Sequence, residues 1–412
     1  MNAIPTKFSY YQLLLALCIA VPVLNIFELT FGLWSITILI TLQNKYSVTI
    51  FNHILIYSLI LIIALFSSIG NRFEAYFYLK DITYMAKPIM GLLLGYQLFK
   101  GNKTRVFSTL IYIGLLIATV HIILVIIAFI TGNASTLVLL RVNCGYFNDY
   151  EVYTLIFLLF HKKFNIEISK KRLYLYVVLM IVSSFFYLAR TNFIQFIVLT
   201  IALKGYFTVT TRSIKVISSV LLATAISYAV IYNLNPKRDG SGVEQFLYKI
   251  KNAPIEPFKT KIDVTNWKDI NDNYRSYENI LTLRQVTENG PRAIILGEGI
   301  GSTVDLKQKM WLQNSFMRYI PFLHNSYMTV FLKSGVLGIF LLVFYLYILM
   351  KNRKSKIPLV QNINMLLVGT AVFLIISNWV FLGMYNTSDN KSIVVGFLIA
   401  LREFEIQKKH ND

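Results

Sequence analysis

The chain has 412 residues, of which 56% are hydrophobic and only 15% charged, with a mean hydropathy of +0.57. Soluble domains carry roughly 25% charged residues; here long apolar runs replace the missing charge, which excludes a soluble enzyme and predicts an all-α polytopic membrane protein. The net charge of +20, from 40 Lys and Arg against 20 Asp and Glu, would suit a nucleic-acid binder, but the cations cluster beside the apolar runs and no nucleic-acid partner is expected.

Met1–Lys7 is short and polar and precedes the first apolar run, the pattern of a start-transfer helix that stays in place. Twelve candidate spans follow, at 8–24, 28–43, 53–69, 82–99, 106–130, 149–161, 172–189, 191–204, 213–232, 324–350, 360–382 and 391–404. A bilayer core of about 30 Å needs about 20 apolar residues as a helix, so the shorter runs are marginal. Cys18 falls in the first run and Cys144 in a loop, and no disulfide is expected between them.

Charge predicts the orientation. With both termini cytoplasmic, the inner segments hold 20 of the 40 Lys and Arg residues, including Lys7, Lys103, Arg105, Lys163, Lys204, Arg212 and Lys351. The short outer loops hold five: Arg72, Lys80, Arg141, Arg190 and Lys391. A fourfold excess inside satisfies the positive-inside rule. The chain then divides into a helical part at 1–232, an outer loop at 233–323, and a last helical part with a cytoplasmic tail at 324–412. The outer loop carries 13 Lys or Arg; long loops translocate largely regardless of charge, and its cations call for an anionic partner, either a ligand or lipid headgroups.

Inside that loop, Tyr274 to Asn289 reads as an amphipathic helix lying over the mouth of the bundle. Tyr277, Ile280, Leu281 and Arg284 share one face; Arg275, Glu278, Thr282 and Gln285 share another. Asn289-Gly290-Pro291 ends it. No internal repeat is visible, and nothing resembles the matched broken helices of a transporter built from inverted repeats.

The chain lacks a Walker A sequence, His-x-x-x-His and Cys-x-x-Cys spacings, and a Gly-x-Ser-x-Gly elbow. Synthetic chemistry on an outer face without ATP needs an activated substrate delivered through the membrane, and a lipid-diphosphate sugar is one. Its leaving group calls for cations. His324-Asn325 stands where the loop re-enters the membrane: the imidazole can shuttle a proton and the amide can hold a sugar hydroxyl, or the pair simply caps a helix. Gly335 and Gly338 suit close helix packing. Leu296–Ser302, with Gly297, Gly299 and Gly301, is either a phosphate-contacting turn or a flexible hinge.

Arg190, in a tight turn between two spans, and Arg141, ahead of another, offer forked donors that match phosphate or anchor headgroups. Lys87 and Lys333 lie inside spans, where charge is costly, although Lys333 can snorkel. Asp149 and Glu151 read either as a second proton acceptor or as a helix start. His121, mid-span, reads as a satisfied interior histidine.

In order along the chain, these features resemble the O-antigen polymerase and ligase superfamily of bacterial envelope glycosyltransferases. The resemblance covers roughly 141–338. It rests on Gly145-Tyr146-Phe147-Asn148, on Ala189-Arg190-Thr191 (alanine standing where the family has serine), on Arg275 in the amphipathic helix, Pro291, the Gly297–Gly301 turn, His324-Asn325 and Gly335–Gly338. It implies a GT-C-like transferase in the bacterial inner membrane. The donor would be a glycan on undecaprenyl diphosphate, with no metal or other cofactor. It implies Arg190 and Arg275 on the diphosphate, Arg141 and Arg284 in support, Asn325 on the glycan, and His324 as the base. The resemblance further implies partners among a chain-length regulator and a flippase of the same pathway. A repeat-unit polymerase of O-antigen or capsule, a ligase to the lipid A core, and a non-enzymatic lipid-linked sugar flippase are the three readings it leaves open.

Overall fold

Each of the twelve predicted intervals coincides with a helix in the computed structural model, which describes residues 9–71, 73–102, 106–133, 137–145, 148–240, 242–312, 315–351 and 353–411. In chain order the α-helices are α1 Tyr10–Ala20, α2 Phe27–Ile40, α3 Val48–Ser67, α4 Ala75–Phe99, α5 Val106–Ile130, α6 Leu137–Cys144, α7 Asp149–Leu159, α8 Lys170–Phe186, α9 Arg190–Leu203 and α10 Thr211–Leu234. After them come α11 Gly242–Asn252, α12 Trp267–Asp272, α13 Tyr274–Glu288, α14 Pro291–Leu296, α15 Ser326–Met350, α16 Pro358–Val380 and α17 Lys391–Asn411. Five of these, α3, α5, α10, α15 and α16, are long and apolar enough to cross a membrane. Much of their surface is bare Leu, Ile, Val and Phe, an exposure that water would penalise and lipid would not. The start segment Met1–Lys7 and the residues Arg72, Lys103, Arg105, Tyr146 and Phe147 lie outside the described residues.

The fold is predominantly helical, as the sequence predicts, with one small departure. Strands β1 Val304–Leu312 and β2 Ser315–Ile320 form an antiparallel hairpin, with Val304 opposite Ile320 and Trp311 opposite Phe316. The alternation that makes β1 is legible in retrospect: Val304, Leu306 and Met310 are buried, while Lys307, Lys309 and Trp311 point away from that core. Hairpin, α12, α13 and α14 share a small core (Ile270, Tyr277, Leu281, Val286, Ala293) that joins α15 at Phe331 and Leu332. The 233–323 segment is thus docked on the start of α15.

The helix predicted at 274–289 is α13, but its buried stripe differs. Tyr277 and Leu281 are buried as expected; Glu278 and Thr282, assigned to the polar face, are buried as well, whereas Arg284, assigned to the apolar face, is exposed. Tertiary contact on two sides explains the change. The hairpin takes the Tyr277 face, with the Tyr277 hydroxyl donating to the Leu306 carbonyl, and the His324 segment takes Glu278.

The Leu296–Ser302 turn is neither open to a phosphate nor a hinge. Gly297, Gly299 and Gly301 have φ of 78°, 93° and 89°, and a side chain on any of them would collide with Lys333, Ser68 or Phe73 respectively. The turn is wedged between α3 and α15. Gly335, with φ 62°, breaks the helical conformation inside α15 where the Ile295 backbone presses against it. Lys333 does not snorkel. It is fully buried and donates to Asp81 of α4 and to the Ser302 carbonyl, while the Gly301 amide donates to the same Asp81. Lys80 and Lys391, expected in short loops, are also buried; Lys391 pairs with Asp389, and Lys87 donates to the carbonyls of Asn386 and Asp389. Cys144 ends a helix rather than lying in a loop, and both cysteines are free.

The Lys333–Asp81 pair makes a stability prediction. Lys333→Met leaves a buried carboxylate without its cation, an arrangement that costs about 3–5 kcal/mol, so the variant should melt at clearly lower temperature in detergent. Adding Asp81→Leu should recover most of the loss, because two apolar groups can replace a buried ion pair. A double variant no more stable than the single one would show that the pair also holds the turn by other means.

Candidate functional site

The site assembles where the 233–323 segment meets the bundle. Arg190 opens α9 after a turn in which Leu188 takes φ 48°, an uncommon conformation for a bulky side chain. Its guanidinium is half-buried and donates Nη1 to the Lys249 carbonyl of α11 at 2.8 Å. No carboxylate pairs with it among the described residues. Arg275, in the first turn of α13, donates Nη1 to Glu256 at 2.6 Å and Nε to the Val380 carbonyl at the end of α16 at 2.9 Å. Arg141 lies near the end of α6. Arg190 feels the charges of Arg275 and Arg141 together with that of Glu256. Burial, and then the positive charges of Arg141 and Arg190, depress the affinity of the Lys249 ammonium for its proton.

Arg190 therefore lies within reach of the charges of Arg141 and Arg275, and Lys249 within reach of those of Arg141 and Arg190. The nearby carboxylates are Glu256, held by Arg275, and Asp272, whose oxygens are engaged by Arg238 and Tyr248. Like charges held close in a half-buried setting repel, and a bound anion relieves that repulsion.

His324 reaches the same region from the end of the hairpin. Its backbone amide donates to Glu278 Oε2 at 2.9 Å, and its Nδ1 lies 3.1 Å from both Glu278 oxygens. Glu278 is on α13 one turn beyond Arg275, a spacing that brings Cβ atoms to about 5–6 Å. The Glu278 side chain is 2% exposed and the imidazole 46%. A proton on Nδ1 facing the carboxylate leaves Nε2 as the basic atom. Tyr274 packs edge-on to the ring, centroids 5.6 Å apart; burial, then the Glu278 charge, hold its hydroxyl protonated far above the usual range.

Asn325 is fully buried and caps α15, its Oδ1 accepting from the Met328 amide at 3.2 Å. Arg284 is exposed nine residues along α13 from Arg275, about 13 Å at 1.5 Å per residue. The structure thus brings Arg190 within reach of the charges of Arg141 and Arg275, links His324 to this group only through Glu278, one turn along α13 from Arg275, buries Asn325 as a helix cap, and leaves Arg284 apart. Glu278, Glu256 and Lys249 escaped the sequence reading. A carboxylate one turn from Arg275 is a readable signal for Glu278. Nothing in the spacing marks Lys249 or Glu256.

Beside this cluster an apolar groove of about 1070 Å³ runs between α15 and α16. Phe258, Tyr327, Trp379 and Val380 line its near end, and Leu346, Met350 and Lys351 its far end. Trp379 stacks on Phe258 with centroids at 5.5 Å, and Val380 is the residue whose carbonyl holds Arg275. From Tyr327 to Lys351 the groove follows about 36 Å of helix, comparable to the bilayer core. The arrangement can hold a long apolar chain with an anionic head against guanidinium groups. Among the described residues no group of three or more His, Cys, Asp or Glu is placed to hold a metal ion. No family model matches this chain, and no curated protein matches it.

Proposed function

We propose that the chain is a glycosyltransferase with about twelve membrane spans and both termini in the cytoplasm. It joins undecaprenyl-diphosphate-linked repeat units into O-antigen or capsular polysaccharide at the outer face of a bacterial inner membrane. One observation supports this reading: Arg275 is held by Val380 at the end of a lipid-sized apolar groove, the charges of Arg141, Arg190 and Lys249 act close by, and Glu278, one helical turn from Arg275, holds the His324 imidazole. The prenyl chain lies in the α15–α16 groove and the diphosphate on Arg190 and Arg275. An acceptor hydroxyl attacks the anomeric carbon of the donor glycan, the bond from that carbon to the diphosphate oxygen breaks, and the hydroxyl proton passes to His324 Nε2. Undecaprenyl diphosphate leaves with its charge matched by the guanidinium groups. Glu278 holds the imidazole in its reactive tautomer and stabilises the imidazolium that forms.

The surface-glycan profile of a deletion strain tests this reading. A single repeat unit on the lipid core is the expected result. Unmodified core with long lipid-linked chains would instead mean transfer to lipid A core, and repeat units retained on the cytoplasmic side would mean a flippase.

A further inference from the structure

The geometry points to Tyr187 as the positioning residue of the arginine cluster, clamped by Glu151 and His121 so that the turn after it presents Arg190. This rests on the reading of the cluster given above. Tyr187 is 1% exposed and caps the end of α8, three residues before Arg190. Its hydroxyl donates to Glu151 Oε1 of α7 at 2.9 Å. Its ring lies flat on the imidazole of His121 of α5, centroids 3.7 Å apart and planes 7° from parallel. His121 Nδ1 in turn is 2.9 Å from the Ser183 hydroxyl one turn back on α8. Gly145, in the link that follows Arg141 and α6, lies so close that a side chain there would press on the same ring.

Two helices, α5 and α7, and the link at Gly145 thus hold one phenol at the end of α8, and the chain leaves it through the strained Leu188. A bulky residue at positive φ persists only when its surroundings over-determine it, and the clamp on Tyr187 supplies that. Glu151 is fully buried, and no cation pairs with it among the described residues. A carboxyl is a costly way to fill apolar space; its return is a directional bond that fixes where the phenol, and the turn after it, must sit. From the sequence alone, Glu151 reads as a proton acceptor or a helix start and His121 as a satisfied interior histidine. The structure ties both to Arg190.

The test uses the full chain in lipid nanodiscs, with Tyr187→Phe, Arg190→Ala, the double variant, and Tyr153→Phe as a control. Tyr153 is equally buried, its hydroxyl 2.8 Å from Thr370. Phenylalanine keeps the ring stacked on His121 and removes only the hydroxyl, which bonds Glu151 and faces Asn148, so the fold should survive. Hydrogen exchange over 188–192 is the readout that needs no ligand. Tyr187→Phe should speed exchange there about tenfold and Tyr153→Phe should not; unchanged protection in Tyr187→Phe overturns the proposal.

The second readout is undecaprenyl diphosphate binding. Tyr187→Phe should weaken it about tenfold, and the double variant should bind no worse than Arg190→Ala alone, as expected for two residues acting through one contact. Losses that multiply in the double variant would overturn the proposal. Equal binding by wild type and Arg190→Ala would instead remove the diphosphate reading, while the exchange result still decides whether Tyr187 positions the turn.

Discussion

Replacing His324 by alanine is expected to lower chain elongation by about 10²–10⁴-fold, the usual contribution of a positioned general base, with protein level and melting temperature close to wild type. The expectation of a mild structural effect comes from exposure. The imidazole is 46% exposed and packs on Tyr274 by one edge only, so little apolar burial is lost. Glu278→Gln should share part of the kinetic defect. It removes the charge that orients Nδ1 and stabilises the imidazolium, yet keeps an acceptor oxygen near the His324 amide. Length distributions of the polymer and turnover by purified variants measure both effects. Wild-type chain length in His324→Ala would take the imidazole out of the mechanism and return it to the role of an interfacial residue beside the α15 cap.

Arg190→Lys is the second large effect expected. Lysine keeps the charge but not the planar fork, and a charge-assisted hydrogen bond contributes about 1.5–3 kcal/mol, or roughly ten- to a hundredfold in affinity for the diphosphate. Arg190 has no carboxylate ion-pair partner among the described residues and spends one donor on the Lys249 carbonyl, whereas Arg275 spends two on Glu256 and Val380. Arg275→Lys should therefore cost affinity and also loosen the Glu256 contact and the docking of α13 on α16. A headgroup anchor would tolerate lysine at either position. Full activity in Arg190→Lys would favour anchoring, whereas loss in both variants with normal membrane insertion is the expected result. Titrating undecaprenyl diphosphate against each purified variant separates the two.

The positions of the helices were legible because apolar runs declare themselves through composition: a helix lies at each of the twelve runs, and five of those helices are long and apolar enough to cross a membrane. The α13 helix was also readable, from its periodicity and its Asn-Gly-Pro stop, and so was the α15 start at His324-Asn325. The hairpin was within reach of the alternation in Val304–Met310 but was masked by a membrane protein's general apolarity. What could not be read was direction. Arg275 and Arg284 fall on opposite faces of a helical wheel, but the wheel does not say which face meets protein: Arg284 meets water and Arg275 meets Glu256 and Val380, because the 3₁₀ turn at Glu256–Phe258 and the end of α16 arrive on the Arg275 side.

Local sequence determined which segments become helices and where the costly charges lie, since both follow from hydropathy and from the unfavourable transfer of ions into lipid. Which charges share a site was decided only by the tertiary structure. Arg141, Arg190, Lys249 and Arg275 are separated by up to 134 positions, and Glu278 meets His324 across 46. Nothing over such separations is encoded in spacing: it depends on the packing of α15 and α16, on the wedge of the Gly297–Gly301 turn, and on the clamp around Tyr187, which exist only once the helices have met.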